Sequence, residues 1–242
     1  MTGWARLFLC AAAMVLAASS AVAAEEPPNL SGVWMPTVIA PDGSRNRAWP
    51  ENPPFRPEVQ AAYETYKQKL AANPEDYDEA RNCLPYGMPY QMLLVAQYPM
   101  EIVDTGDRLT MIFELHNDVR RIHLDDGPPP TGLRPGFQGY SIGHWVGDTL
   151  YIETTHIREG GMPRPHGPRL RITEHIRLIA DQEGTPMLED VMTIDDPDTY
   201  TEPFTTRTYF RRQAGLEMGE YFCSEDLWRL NLSGKDSIIP WR

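Results

Sequence analysis

The residues of this sequence with the clearest chemical meaning are polar ones that strand alternation sets among aliphatic neighbours. In the run 169–178, Leu170, Ile172, Glu174, Ile176 and Leu178 fall on one side, and Arg169, Arg171, Thr173, His175 and Arg177 fall on the other. That is the period of two of a half-buried strand. Glu174 is therefore expected to point inward with four aliphatic side chains, and a carboxylate there needs a partner or a task. Unpaired, it is desolvated, its pKa rises toward neutrality, and it suits general acid–base work. Paired with a cation, it becomes structural or ligand-orienting. In the next candidate strand Val119, Arg121 and His123 share a face, and farther on His144 lies beside Ile142. Alternation alone does not say which of those faces is inside. An inward Arg121 is a natural partner for Glu174, and His123 or His144 is the second acid–base candidate.

Gly139-x-Ser141-x-Gly143 matches the nucleophile elbow of serine hydrolases on paper. An elbow needs a sharp strand-to-helix turn, whereas here β-branched and aromatic residues resume within a few positions and no helical period follows. His116, His123, His144 and Asp125 are metal-ligand types, but no paired-ligand motif such as His-Glu-x-x-His is present, and the reading is of no metal and no cofactor. Phe113, Tyr140, Trp145 and Tyr151 suit a pocket for an apolar or aromatic molecule, and suit an ordinary β core equally well.

The elements that would position these residues are mostly strands. Residues 139–156 read as two strands joined at Gly147-Asp148, with Ser141, Gly143 and Trp145 alternating before the turn and Leu150, Ile152 and Thr154 after it. Around this hairpin the pattern predicts strands at Val33–Ile39, Met100–Asp104, Leu109–Leu115, Val119–Leu124, Leu170–Ala180, Met187–Asp195, Phe204–Arg212 and Glu217–Cys223. One helix is expected at 57–72, opened by Pro57, with Val59, Tyr63, Tyr66 and Leu70 on one face and Asn73-Pro74 as its stop. Residues 85–99 read as a packed loop, and 125–138 and 158–168 as long connections of the kind that often cover sites. Regular strands without intervening helices predict a mainly β fold, an antiparallel meander closed or nearly closed into a barrel, because closure removes the sheet edges.

Residues 1–24 have the form of a cleavable secretory signal: Arg6, an apolar run from Leu7 to Ala18, and Ala21-Val22-Ala23 before the cut. The expected product is exported, periplasmic or secreted, with residues 25–99 (strand, helix and packed loops) forming a single domain with a barrel over 100–242. No other apolar run approaches the roughly 20 residues of a membrane span. The formal net charge of -12 argues against nucleic acid and anionic membranes as partners. Cys10 leaves with the signal, so Cys83 and Cys223 remain in an oxidising compartment and are expected to pair.

Several motifs together resemble a family of secreted bacterial proteins: Cys83-Leu84-Pro85, Arg120-Arg121-Ile122-His123-Leu124-Asp125, Gly139 through Leu150, Thr173-Glu174-His175-Ile176-Arg177, Asp196-Pro197 and Glu220-Tyr221-Phe222-Cys223. Their core is Gly-x-Ser-Ile-Gly-x-Trp-x-Gly-Asp-Thr-Leu. The sequence departs from that family at Tyr140, His123 and Val146, where the family has His, Tyr and Glu, which implies an altered pocket. The opening Gly32-Val33-Trp34 is similar to the Gly-x-Trp start of lipocalin-like (calycin-like) barrels, an analogy of fold only. Three functional readings stand side by side. A lumenal pocket holds a small apolar or aromatic molecule while Glu174, His123 or His144, and Arg121 carry out cofactor-independent lyase or isomerase chemistry. Alternatively, the same groups orient a ligand in a non-catalytic carrier. In the third, Ser141 is a hydrolase nucleophile.

Overall fold

A computed structural model describes residues 26–73, 83–93, 98–125 and 127–224. The signal segment 1–24 and the helix stop at Pro74 lie outside the described residues. Nine strands form one closed barrel in sequence order: β1 (Gly32–Thr37), β2 (Met100–Asp104), β3 (Arg108–Phe113), β4 (Asp118–His123), β5 (Tyr140–Val146), β6 (Thr149–Thr155), β7 (Arg171–Ala180), β8 (Pro186–Asp195) and β9 (Phe204–Arg212). β1 closes the ring by pairing antiparallel with β9 from Trp34↔Arg212 to Thr37↔Tyr209. The mainly β barrel expected from the alternation is present, and the hairpin turns at Gly147, whose positive φ of 60° suits glycine.

One junction departs from a meander. β4 and β5 pair parallel, through only Ile122↔Ser141 and His123↔Ile142. Ring geometry requires such a junction. Each antiparallel neighbour reverses direction, and a closed circuit of nine strands returns to its starting direction only if at least one of its nine junctions does not reverse. The long segment 124–139 carries the chain back to the end at which β4 began, as a parallel pair demands.

Two further expectations are corrected. Residues 217–223 form no strand, because the β1–β9 pairing leaves no free edge for them. They run instead past a 3-10 turn at Leu115–Asn117, where Asn117 Nδ2 donates to the Tyr221 carbonyl (2.8 Å) and the Gly219 amide to Glu114 (2.7 Å). The segment expected to be loop at 85–99 contains a short helix, α2 (Tyr90–Leu93), all four residues of which are buried. The Cys83–Cys223 disulfide joins the start of this segment to the chain beyond β9.

The long helix α1 spans Pro57–Ala72 and buries no residue fully. It touches the core through Val59 and Tyr63 alone. Leu30, Phe55, Met88, Met92 and Leu93 share one buried cluster with the lumenal residues of the strands, so the N-terminal segments and the barrel pack as a unit. The chain leaves β1 at Thr37 as a strap over the outside of β8 and β9. Ala40 packs there on Met187 and Tyr209, and Gln182 donates to the carbonyls of Pro41 and Asp42. The strap then returns, Asn46 donating to the Arg207 carbonyl (2.7 Å), and brings Trp49 against Tyr90 and Phe204. Among the described residues no helix is long and apolar enough to cross a membrane.

Candidate functional site

Register settles which faces are inside. Glu174 and its aliphatic companions face the lumen, and the residues opposite them follow: Ile152 and Thr154 on β6, Ser141 and Gly143 on β5, Met192 and Asp190 on β8, Thr206 and Thr208 on β9. On β4 the inward residues are Arg120 and Ile122, paired with Met111 and Leu109. Arg121 is exposed on the outside. The physical reason is apolar content: the 120/122 face carries Ile122, fully buried, and continues to Leu124, whereas the 119/121/123 face offers only Val119.

Arg120 is the centre of the lumenal polar network. Its Nη1 donates to Glu174 Oε1 (2.8 Å) and its Nη2 to Glu174 Oε2, a two-pronged pairing that occupies both carboxylate oxygens. Nη2 also reaches Thr154 Oγ1 (2.9 Å), Nε reaches Ser141 Oγ (3.2 Å), and Ser141 and Thr154 bond to each other (2.8 Å). All four residues have no exposed surface. Every charge and hydroxyl in this set has a partner, the condition under which a buried pair is tolerated.

The Gly-x-Ser-x-Gly motif takes its meaning from this packing. Gly139 has φ of 67° and lies where a Cβ would fall 2.7 Å from the Thr155 carbonyl oxygen. Ser141 faces inward to Arg120, and a Cβ at Gly143 would meet Ile122 Cγ2 at 2.8 Å. The serine sits on a regular strand with Arg120 and Thr154 as its partners.

The predicted histidines stand on the other side of the barrel wall. His123 stacks on Tyr140 (4.7 Å between ring centres) and His144 on Tyr151 (5.7 Å), on the outer face of β4–β6. Neither meets Glu174. Of the four aromatic candidates, Phe113 is buried in the lumen and Trp145 packs half-buried against the core, while Tyr140 and Tyr151 lie outside. Among the described residues no group of three or more His, Cys, Asp or Glu is placed to hold a metal ion.

A second polar group in the lumen is open. Asp190 has no exposed surface, and neither carboxyl oxygen has a hydrogen-bond partner among the described residues. Its neighbour across the ladder is Thr208, 6% exposed, whose hydroxyl is also unpartnered. Burial first, and then the Glu174 charge, push the Asp190 carboxyl well above the ordinary carboxylate range, with Arg120 pulling the other way. The group therefore favours its neutral form, which both donates and accepts hydrogen bonds. Alternation could have found it, since Leu188, Asp190, Met192 and Ile194 share one face as Glu174 does with its neighbours. Asp118, at the head of β4, is pushed up to about 6 by burial, against a hydrogen bond from Gln138.

Thr208 lines a cavity of about 240 Å³. Above the last β1–β9 pair, Thr37↔Tyr209, β9 runs on without β1 beside it. The strap and α2 cover that window. Pro36, Val38, Ala48, Trp49, Met92 and Leu93 form apolar walls, and Arg45 and Arg47 also line the cavity. Thr208 is thus the buried polar residue of the lining, and Asp190, its neighbour across the β8–β9 ladder, lies next to it outside the lining. No family model matches the chain, and no match to a curated protein was found.

Glu174→Gln and Arg120→Met are each expected to lower stability by about 3–5 kcal/mol, because each strands the other partner's buried polar or charged group. The double change Arg120→Met/Glu174→Leu should cost less than the sum of its single changes in urea unfolding; strict additivity would show that the pair is not coupled. Asp190 carries the opposite sign of linkage from a paired carboxylate. The native state keeps its proton at pH values where the unfolded chain has lost it, so stability falls as pH rises from about 4 toward the raised pKa, by about 1.4 kcal/mol per unit. Asp190→Asn removes that slope, so the variant should gain on the wild type as pH rises; parallel profiles would show that the carboxyl is not shifted.

Proposed function

We propose that this chain is an exported barrel that binds a small, largely apolar molecule in the strap-covered cavity, with its polar end toward Thr208. The observation that carries this reading is the buried Thr208 hydroxyl in the cavity lining, which has no partner among the described residues and neighbours the equally open Asp190. A hydroxyl and a carboxyl left without partners in a core cost stability, about 1–3 kcal/mol each, and a bound polar group would satisfy the hydroxyl. The cavity volume suits a ligand smaller than a typical drug. The disulfide and the signal-like N-terminus support export to the periplasm or beyond.

Asp190 also supports a second reading, cofactor-independent acid–base chemistry of the lyase or isomerase kind. Both oxygens of Glu174 are engaged by Arg120, whereas both oxygens of Asp190 are open, so the proton donor in this reading is Asp190. Glu174 then holds Arg120 in place. His123 and His144, on the outer face, take no part in it.

The binding reading is tested with 2-naphthol, a neutral aromatic with one hydroxyl. It should raise the thermal midpoint saturably, as expected for a ligand of the native state alone. Ala48→Trp, which fills the cavity from the half-buried strap, should keep the unliganded midpoint and abolish the shift. No shift in the wild type, or an equal shift in Ala48→Trp, would remove the cavity as the binding site.

A further inference from the structure

The lining of this cavity is chemically polarised from its inner side to its rim, and we infer that its ligand is a small aromatic or alicyclic monocarboxylate carrying a hydrogen-bonding group at the end opposite the acid. The inference rests on the binding reading above and deepens it. On its inner side the cavity is lined by Thr208, whose buried hydroxyl has no partner among the described residues; Asp190, likewise without one among them, is its neighbour across the β8–β9 ladder. Most of the remaining wall is apolar, with Pro36, Ala48, Trp49, Met92, Leu93 and the exposed Val38, interrupted by Thr37 and Asn46. At the rim stand Arg45 and Arg47, two exposed guanidinium groups on one side of the strap's return.

The rim arginines are what select an acid. Arg45 has no ion-pair partner among the described residues, and the Arg47 contact with Glu51, 3.2 Å, is between two largely exposed side chains and is worth little. The chain is strongly acidic, with a formal charge of -12, so cations gathered at a cavity mouth run against its overall balance. Both arginines also line a wider open groove, together with Asp42 and with Arg207, which pairs with Glu189 (3.3 Å). Arg45, without an ion-pair partner among the described residues, therefore gives an incoming anion a cation at the mouth. A guanidinium pairs with a carboxylate through two parallel hydrogen bonds, a geometry that a neutral ester cannot match.

Thr208 selects the other end. A hydroxyl can both donate and accept, so it suits a phenol, alcohol or ketone. A second carboxylate at that end would bring a buried negative charge beside Asp190 and Glu174, which like-charge repulsion and desolvation disfavour. A monocarboxylate with a neutral polar tip fits both ends. A dicarboxylate and a plain hydrocarbon each fail one.

Calorimetric titration with 4-hydroxycinnamate, its methyl ester and cinnamate separates the two contributions. Wild type should bind 4-hydroxycinnamate at least about tenfold more tightly than the ester and about tenfold more tightly than cinnamate, the usual size of one charged or one buried hydrogen bond. In Arg45→Gln/Arg47→Gln, acid and ester should bind alike. In Thr208→Val, which keeps the shape of the side chain, 4-hydroxycinnamate and cinnamate should bind alike. Equal binding of acid and ester by the wild type would overturn the monocarboxylate class, while sensitivity to Thr208→Val would leave the cavity standing as the site. Binding that neither set of substitutions changes, or no binding by any of the three probes, would overturn the proposal; in the first case the cavity falls with it, and in the second the 2-naphthol result decides the cavity independently.

Discussion

The closed barrel has one weak seam, and a buried arginine binds three strands across it. β4 and β5 share only two register pairs, against ten between β7 and β8. Arg120, on β4 just before the seam, bonds to Ser141 on β5, Thr154 on β6 and Glu174 on β7. It thus ties the strand on one side of the parallel junction to three strands on the other, where the backbone ladder is short. A one-residue slip of β4 would turn Arg120 and the fully buried Ile122 outward, bring Val119, Arg121 and His123 into the lumen, and break the matched set of bonds to Ser141, Thr154 and Glu174. The pair is therefore better understood as setting register at the seam than as a source of net stability. Gly143 belongs to the same arrangement, since Ile122 from β4 lies in the space a side chain there would need.

Closure with an odd number of strands has consequences well beyond the seam. It forces a parallel junction, which in turn requires the long segment 124–139. It leaves no edge for the chain after β9, so 213–224 crosses the barrel end and is held there by the disulfide and by contacts to the 3-10 turn. Independently of closure, β1 is shorter than β9. The strap and α2 cover the resulting window, and the cavity lies beneath them. The site is thus a product of the mismatch between two neighbouring strands.

The lumen holds polar groups in two conditions. Around Arg120 every donor and acceptor is matched, which rigidifies that side of the barrel and withdraws Glu174 from chemistry. Around Asp190 the groups are unmatched, and the like charge of Glu174 helps keep the carboxyl neutral. The first condition supports the second: fixing Glu174 on Arg120 holds a negative charge at a constant distance from Asp190. Polar groups left open in a core are costly, and a cavity beside them is where that cost can be recovered by a ligand.

Sequence alone determined what depends on local period and turn chemistry. The hairpin at Gly147, the helix at 57–72, all nine strands, the Cys83–Cys223 pairing and the inward direction of Glu174 were legible, because alternation, Pro57 and the glycine turn act within a few residues. Asp190 was legible by the same alternation, in a strand whose face carries Leu188, Met192 and Ile194. What the tertiary structure alone decided was which strand meets which and where the wall opens. The choice of Arg120 over Arg121 depended on which face of β4 turned inward, and the histidines went outside with the other face. The parallel seam and the loss of a tenth strand follow from closing the ring, a constraint that acts across the whole chain and leaves no mark on any short stretch of it, and the strap-covered window follows from where β1 stops beside β9.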